Sequence, residues 1–167
     1  LTRTTGAIVG GIGGMGQGAG QFIGVHTMAT DSSGNLYVSE LLGGVKRRDA
    51  ATGAITTYSG FNRPHGLAVA ADGTVYVADT FNNRVQRISP GGSVSTLADG
   101  INQPNDVALG PDGNIYSTEW GSSRILRITP AGAATRIADS PRTSSVAVGA
   151  DGTVYVTEER RGAVRRL

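Results

Sequence analysis

The sequence predicts an all-β fold, a β-propeller of four-stranded blades about 40 residues long, and three observations carry that prediction. One phrase is written four times: Ser33-Gly34-Asn35-Leu36-Tyr37-Val38-Ser39-Glu40, Asp72-Gly73-Thr74-Val75-Tyr76-Val77-Ala78-Asp79, Asp112-Gly113-Asn114-Ile115-Tyr116-Ser117-Thr118-Glu119 and Asp151-Gly152-Thr153-Val154-Tyr155-Val156-Thr157-Glu158. Its glycines, Gly34, Gly73, Gly113 and Gly152, recur at intervals of 39, 40 and 39 residues. Between the copies, apolar and polar residues alternate with period two and are punctuated by Gly, Pro, Asp and Asn.

Each repeat contains four strand signals. The first covers Val25 to Ala29, Gly66 to Val69, Asp106 to Leu109 and Ser145 to Val148. A Ser-Gly or Asp-Gly turn, read as a primed hairpin turn with positive φ, leads into the repeated phrase. The third covers Val45 to Arg48, Arg84 to Ile88, Arg124 to Ile128 and Ala163 to Leu167, and the fourth Ile55 to Tyr58, Val94 to Leu97 and Ala134 to Ile137. The last repeat lacks a fourth strand, and Leu1 to Ile8 has the character to supply it, which would close a ring and remove an exposed edge. The chain, 1–167, is read as a single propeller domain that is an excerpt of a six- or seven-bladed ring. Closure of four blades on themselves and an eight-bladed homodimer are the alternatives.

Composition fits many tight turns between short strands: 26 of 167 residues are Gly and only 17% are charged. The net charge of +2 comes from 15 basic and 13 acidic residues spread with the repeat, which argues against a nucleic-acid face. With no cysteine, disulfides and thiolate metal sites are excluded. No apolar run reaches 18 residues, so no membrane-spanning segment is expected. An extracytoplasmic or secreted location is the expectation.

The stretch Pro64-His65-Gly66-Leu67-Ala68-Val69, Asp72 to Thr80, Asn82-Asn83-Arg84-Val85 resembles the NHL repeat, and the other repeats match it in register. That resemblance implies a propeller; it serves binding scaffolds and enzymes alike.

Aligned, the repeats stack polar residues into columns. His26, His65, Asn105 and Ser144 begin the first strands; Glu40, Asp79, Glu119 and Glu158, fourteen residues on, end the second. The innermost strand of a blade meets the channel, so both columns are expected to ring one mouth. Imidazole, amide and carboxylate suit a divalent cation or acid-base work. Otherwise the acids pair with arginines of the next strand and His65 and Asn105 satisfy turn backbone. The arginine column Arg47, Arg87, Arg127 and Arg166 is read as structural, with stems packed between blades and guanidinium groups paired to acids. Tyr37, Tyr76, Tyr116 and Tyr155 are read as blade core. Trp120, beside Glu119, is a candidate ligand platform.

Two enzyme families resemble parts of the chain. Ile115 to Thr129 is similar to the blade motif of virginiamycin B lyases, metal-dependent propellers in which channel histidine and glutamate open a cyclic peptide lactone. The spacings of His65 to Asp79 and His26 to Glu40 are like that family's catalytic pair, although Asp stands at 79 and no Glu accompanies a later His. Gln103-Pro104-Asn105-Asp106 resembles the Pro-Asn-Asp segment of gluconolactonase-type propellers, whose Asn and Asp line a divalent-metal pocket. The resemblances imply His65, His26 and Glu119 as catalytic residues and Asn105, Asp106 and Glu119 as ligands of Ca, Mg or Zn. Asn105, Asp106, Glu40, Asp79 and Trp120 are the expected ligand-binding residues.

Two functions follow as expectations: a binding module for a protein, peptide, glycan or small-molecule ligand at one channel mouth, or a metal-dependent lyase or lactone hydrolase. Gly11-Ile12-Gly13-Gly14-Met15-Gly16 satisfies the dinucleotide fingerprint, but Gln17-Gly18-Ala19-Gly20 follows where a helix is needed. The segment 10–21 is instead read as a Gly-rich interblade loop, able to act as a lid.

Overall fold

A computed structural model describes residues 22, 24–42 and 44–167. The expected lid at 10–21 and the closing strand at Leu1 to Ile8 lie outside the described residues. Four antiparallel sheets form four blades of a β-propeller. The first blade contains β1 (Val25–Thr30), β2 (Leu36–Glu40), β3 (Gly44–Arg48) and β4 (Ile55–Tyr58). The second contains β5 (Pro64–Val69), β6 (Val75–Asp79), β7 (Arg84–Ile88) and β8 (Val94–Asp99). The third contains β9 (Pro104–Leu109), β10 (Ile115–Glu119), β11 (Arg124–Ile128) and β12 (Ala134–Asp139). The fourth shows β13 (Thr143–Val148), β14 (Val154–Glu158) and β15 (Ala163–Arg166). Within each sheet, strands lie side by side in chain order.

Alternating side chains put apolar residues on both sheet faces, and the cores sit between blades. Val45, Leu67, Val75, Val77 and Ile88 join the first blade to the second. Ala78, Val85, Val107, Ile115 and Leu126 join the second to the third, and Ile125, Val146, Val154 and Val156 the third to the fourth. Tyr37 and Tyr116 are buried as expected, whereas Tyr155 and Val164 on the outer side of the fourth blade stand open to solvent.

The hairpin between first and second strands differs from the two-residue primed turn. Gly73 N–H donates to Ala70 O and Ala70 N–H to Thr74 O, so a wider turn is closed by glycine at φ +85°. Asp72 Oδ1 accepts from the Thr74 backbone, the same side-chain bond holds Asp112 and Asp151 in their turns, and in the first blade, where Ser33 stands at this place, Asp31 Oδ1 accepts from Asn35 N–H instead. The repeated Asp-Gly is thus an Asx turn completed by left-handed glycine.

The arginine column meets expectation only in part, with Arg47 paired to Asp49 at 3.1 Å. Arg47, Arg87, Arg127 and Arg166 stand opposite Tyr37, Tyr76, Tyr116 and Tyr155 across adjacent strands, and the acids ending the second strands take other partners. Asp79, fully buried, accepts from Asn62 N–H at 2.7 Å through Oδ1. Its Oδ2 accepts from Arg84 Nε at 2.8 Å, Gln86 Nε2 at 2.7 Å and Asn82 Nδ2 at 2.9 Å. Glu119 repeats the pattern with Asn102 N–H, Ser122 and Arg124, Glu40 pairs with Lys46, and Glu158 with Arg161 and Arg165. Asp79, Glu119 and Glu158 each tie the loop before a first strand to the strand pair behind it.

Removing a buried carboxylate strands several donors at once. Asp79→Ala is expected to lower unfolding free energy by about 3 kcal/mol, measured by denaturant titration. A loss under about 0.5 kcal/mol, the range of an ordinary surface change, would mean the clamp contributes nothing. Gly66 has a different constraint, because a Cβ there would sit 2.6 Å from Asp106 Cα on the neighbouring inner strand. Gly66→Ala is expected to cost about 1–3 kcal/mol by the same assay, since backbone, not a flexible tip, must move.

Candidate functional site

Every first strand carries an irregularity at the same place. Pairing slips between Val25 and Thr27, between Pro64 and Leu67, opposite the Thr118/Glu119 step, and between Thr143 and Val146. The residues left out of register include His26, His65, Asn105 and Ser144, so a β-bulge sits at the polar column of each blade. A bulge re-aims a side chain out of the pleat. Hydroxyls on the second strand hold it: Ser39 Oγ accepts from Thr27 N–H at 3.1 Å, Thr118 Oγ1 from Asp106 N–H at 3.2 Å and Thr157 Oγ1 from Ser145 N–H at 2.9 Å. Ala78 stands at this position in the second blade and has no hydroxyl to offer.

The bulged residues converge on one open cavity of about 270 Å³, walled by His26, His65, Asn105, Trp120, Thr143, Ser144 and Glu159. They form a continuous arc across four blades. The imidazoles of His26 and His65 stack with centroids 4.0 Å apart and planes 9° from parallel. His65 Nδ1 lies 2.6 Å from Asn105 Oδ1, and Asn105 Nδ2 donates to Ser144 O at 2.5 Å.

That last bond fixes protons along the arc. Since a carbonyl must face the amide NH₂, Asn105 turns its own oxygen to His65, and His65 Nδ1 must be the donor. Nε2 is then the basic nitrogen of neutral His65. Burial pushes His26 below the ordinary imidazole range, and the charge that His65 can carry pushes it further the same way.

Of the expected site residues, the structure brings His26, His65, Asn105 and Trp120 together. Glu40, Asp79 and Glu119 are buried outside the cavity wall, each held by the clamp contacts described above. Asp106 lies beside the site and faces the neighbouring blade, where its Oδ2 accepts from Ser145 Oγ at 2.6 Å and Val146 N–H at 3.0 Å. Burial raises its carboxyl above the ordinary value, against these hydrogen bonds. Asn105, Asp106 and Glu119 therefore do not form one ion-holding set: the first is spent on the arc, the second on a blade junction, the third on Arg124. Among the described residues no three of His, Asp and Glu lie together to hold a metal ion.

Thr143 and Glu159 are additions to the expected wall. Glu159 occupies the position of Trp120 one blade on, a correspondence visible in the alignment. Thr143 replaces Pro64 and Pro104, and its buried Oγ1 has no partner among the described residues.

The profile of the SMP-30/gluconolactonase/LRE-like region matches residues 17–160. The chain belongs to this family. Among solved structures, virginiamycin B lyase from Staphylococcus aureus is similar at 20% identity and TM-score 0.72, over 86% of this chain and 55% of that one. A streptogramin B lyase is similar at 16% identity and TM-score 0.74, over 86% and 54%. A gluconolactonase from Xanthomonas campestris is similar at 23% identity and TM-score 0.69, over 80% and 56%. At these identities the likeness is one of fold, and this member of the family spans a little over half the length of those structures. A search of curated proteins returns no match.

The depressed His26 value has a signed consequence. The unfolded chain takes up this proton before the folded one, so stability falls as pH is lowered through the ordinary histidine range of about 6.5. Replacing His26 by Asn, the residue at this column in the third blade, is expected to shrink the drop in melting temperature between about pH 7.5 and 5.5. An identical pH profile in His26→Asn would show that His26 does not carry the difference.

Proposed function

We propose that the chain is part of a propeller enzyme that opens a cyclic ester, with His65 as its general base. The observation that carries this reading is the hydrogen-bonded chain from His65 Nδ1 to Asn105 Oδ1 and from Asn105 Nδ2 to Ser144 O: it puts the proton of neutral His65 on Nδ1, so Nε2 is the nitrogen that takes one up. As the proton arrives, Asn105 Oδ1 stabilises the imidazolium through the same hydrogen bond. The stacked His26, kept neutral, adds no second charge. Opening a lactone needs one such transfer. In elimination, Nε2 takes a proton from the carbon next to the ester-bearing carbon, those two carbons become doubly bonded and the carboxylate leaves. In hydrolysis, Nε2 takes the proton of a water whose oxygen attacks the ester carbonyl, and returns it to the ring oxygen as the bond between that oxygen and the carbonyl carbon breaks. Family membership and the likeness to lyase and gluconolactonase folds support the lactone class. Among the described residues no three of His, Asp and Glu stand together to hold the divalent ion implied by those resemblances.

A second reading, a module that binds a peptide, glycan or small molecule without turnover, is favoured by the acids. All four second-strand carboxylates are committed to the clamp, and large apolar side chains stand open in the turns that follow them, at Leu42, Phe81 and Trp120. Both readings use the same cavity.

The test is turnover of glucono-lactone and of a cyclic depsipeptide by the full protein, followed by mass spectrometry. Elimination leaves product mass unchanged, and hydrolysis adds water. His65→Ala is expected to lower kcat/KM by about 10²–10⁴ with the fold retained. Turnover undiminished in His65→Ala rejects this base; no turnover on any lactone with ligand binding retained selects the second reading.

A further inference from the structure

We propose that Trp120 and Glu159 form a subsite for a protonated amine carried by the cavity's ligand. The inference rests on the reading that this cavity is the functional site. Both residues occupy the first position after a second strand, in consecutive blades, where the other copies place Leu41 and Thr80. Both are held from the backbone: Trp120 N–H donates to Gln103 O at 2.9 Å and Glu159 N–H to Arg142 O at 3.2 Å. Their side chains thus enter the cavity wall from anchored loops.

The chemistry of the pair is specific. Trp120 is 47% exposed, and an indole face is the best aromatic surface for a cation. Glu159 is the sole acidic residue of the wall among the described residues. Among the described side chains no cation pairs with it, while Arg161 and Arg165 both turn to the neighbouring Glu158. Burial, and the charge that the stacked His65 can carry, push His26, the wall's other histidine, below the ordinary imidazole range. An acid, an indole face and no Lys or Arg among the described residues of the wall favour an ammonium group over a carboxylate or a neutral ring. A cavity of about 270 Å³ holds an amine-bearing arm and leaves a larger ligand body outside.

Trp120 is the only tryptophan of the chain, so its indole N–H is a single resonance that reports on this subsite. Benzylammonium, titrated into ¹⁵N-labelled protein, is expected to shift that resonance saturably, with benzyl alcohol and benzoate at least about tenfold weaker. Glu159→Gln should raise the benzylammonium Kd about fivefold, the equivalent of about 1 kcal/mol, and added salt should weaken binding to the unmutated protein more than to the variant. Trp120→Leu, followed by calorimetry, should lose binding that Trp120→Phe retains in part. Equal response to benzyl alcohol or benzoate, an unchanged Kd in Glu159→Gln, or no shift at all would overturn the subsite. Amine binding without lactone turnover would reject the lactone reading alone; turnover without amine binding would reject the subsite alone.

Discussion

A carboxylate buried at the end of each blade's second strand is the constraint on which the rest of the structure depends. An ionised group without water must be paired and fully hydrogen-bonded, or it would cost more than a small blade can supply. The sequence meets that demand differently in each copy. The cation comes from the first position of the third strand in Arg84 and Arg124, and from the third position in Lys46 and Arg165, two positions that share one face. A backbone N–H completes the set in Asn62 and Asn102. In the fourth blade Pro141 stands there and has none to give, and the hydroxyl of Ser140 donates to Glu158 instead. The carboxylate is the fixed element, and its donors move around it.

This clamp fixes where each first strand begins, and from that beginning the bulge follows. With the preceding loop held to the second strand, the chain enters β5 and β9 through Pro64 and Pro104, which need no partner for a missing N–H at a strand start. One extra residue is then accommodated immediately after, and second-strand hydroxyls accept the displaced N–H. The side chain at that point leaves the sheet and turns to the channel. Site geometry is therefore a consequence of blade folding, not an addition to it.

The blades were legible because their signal is periodic and local: Asp-Gly turns, Tyr-Val cores and alternating strands each follow from neighbours in sequence. The acid column was harder to read. Fourteen residues from His65 to Asp79 looks like the spacing of a catalytic pair, yet Val25 faces Glu40, Pro64 faces Asp79, Pro104 faces Glu119 and Thr143 faces Glu158 across a hairpin. The residue one place after a first-strand start therefore acquires that spacing to a second-strand end. Which way each side chain points depends on the bulge, and the bulge was visible only as Ser39, Thr118 and Thr157, hydroxyl residues one place before the acids. The expected set therefore held the arc of His26, His65 and Asn105 and also three clamp acids. Asp106 was harder still, since its partners Ser145 and Val146 belong to the next blade.

The arc explains why the polar column varies while a buried carboxylate and an apolar core recur in every blade. His65 owes its tautomer to Asn105, and Asn105 owes its orientation to the carbonyl of Ser144, so three successive blades determine which nitrogen is basic. Identical residues in every blade could not do this. Four histidines would compete for donors, and four asparagines would supply no base. A chain of unlike groups, each fixed by the next, converts the symmetry of the fold into one direction for a proton. That direction ends at His65, one face of which is covered by the stacked ring of His26.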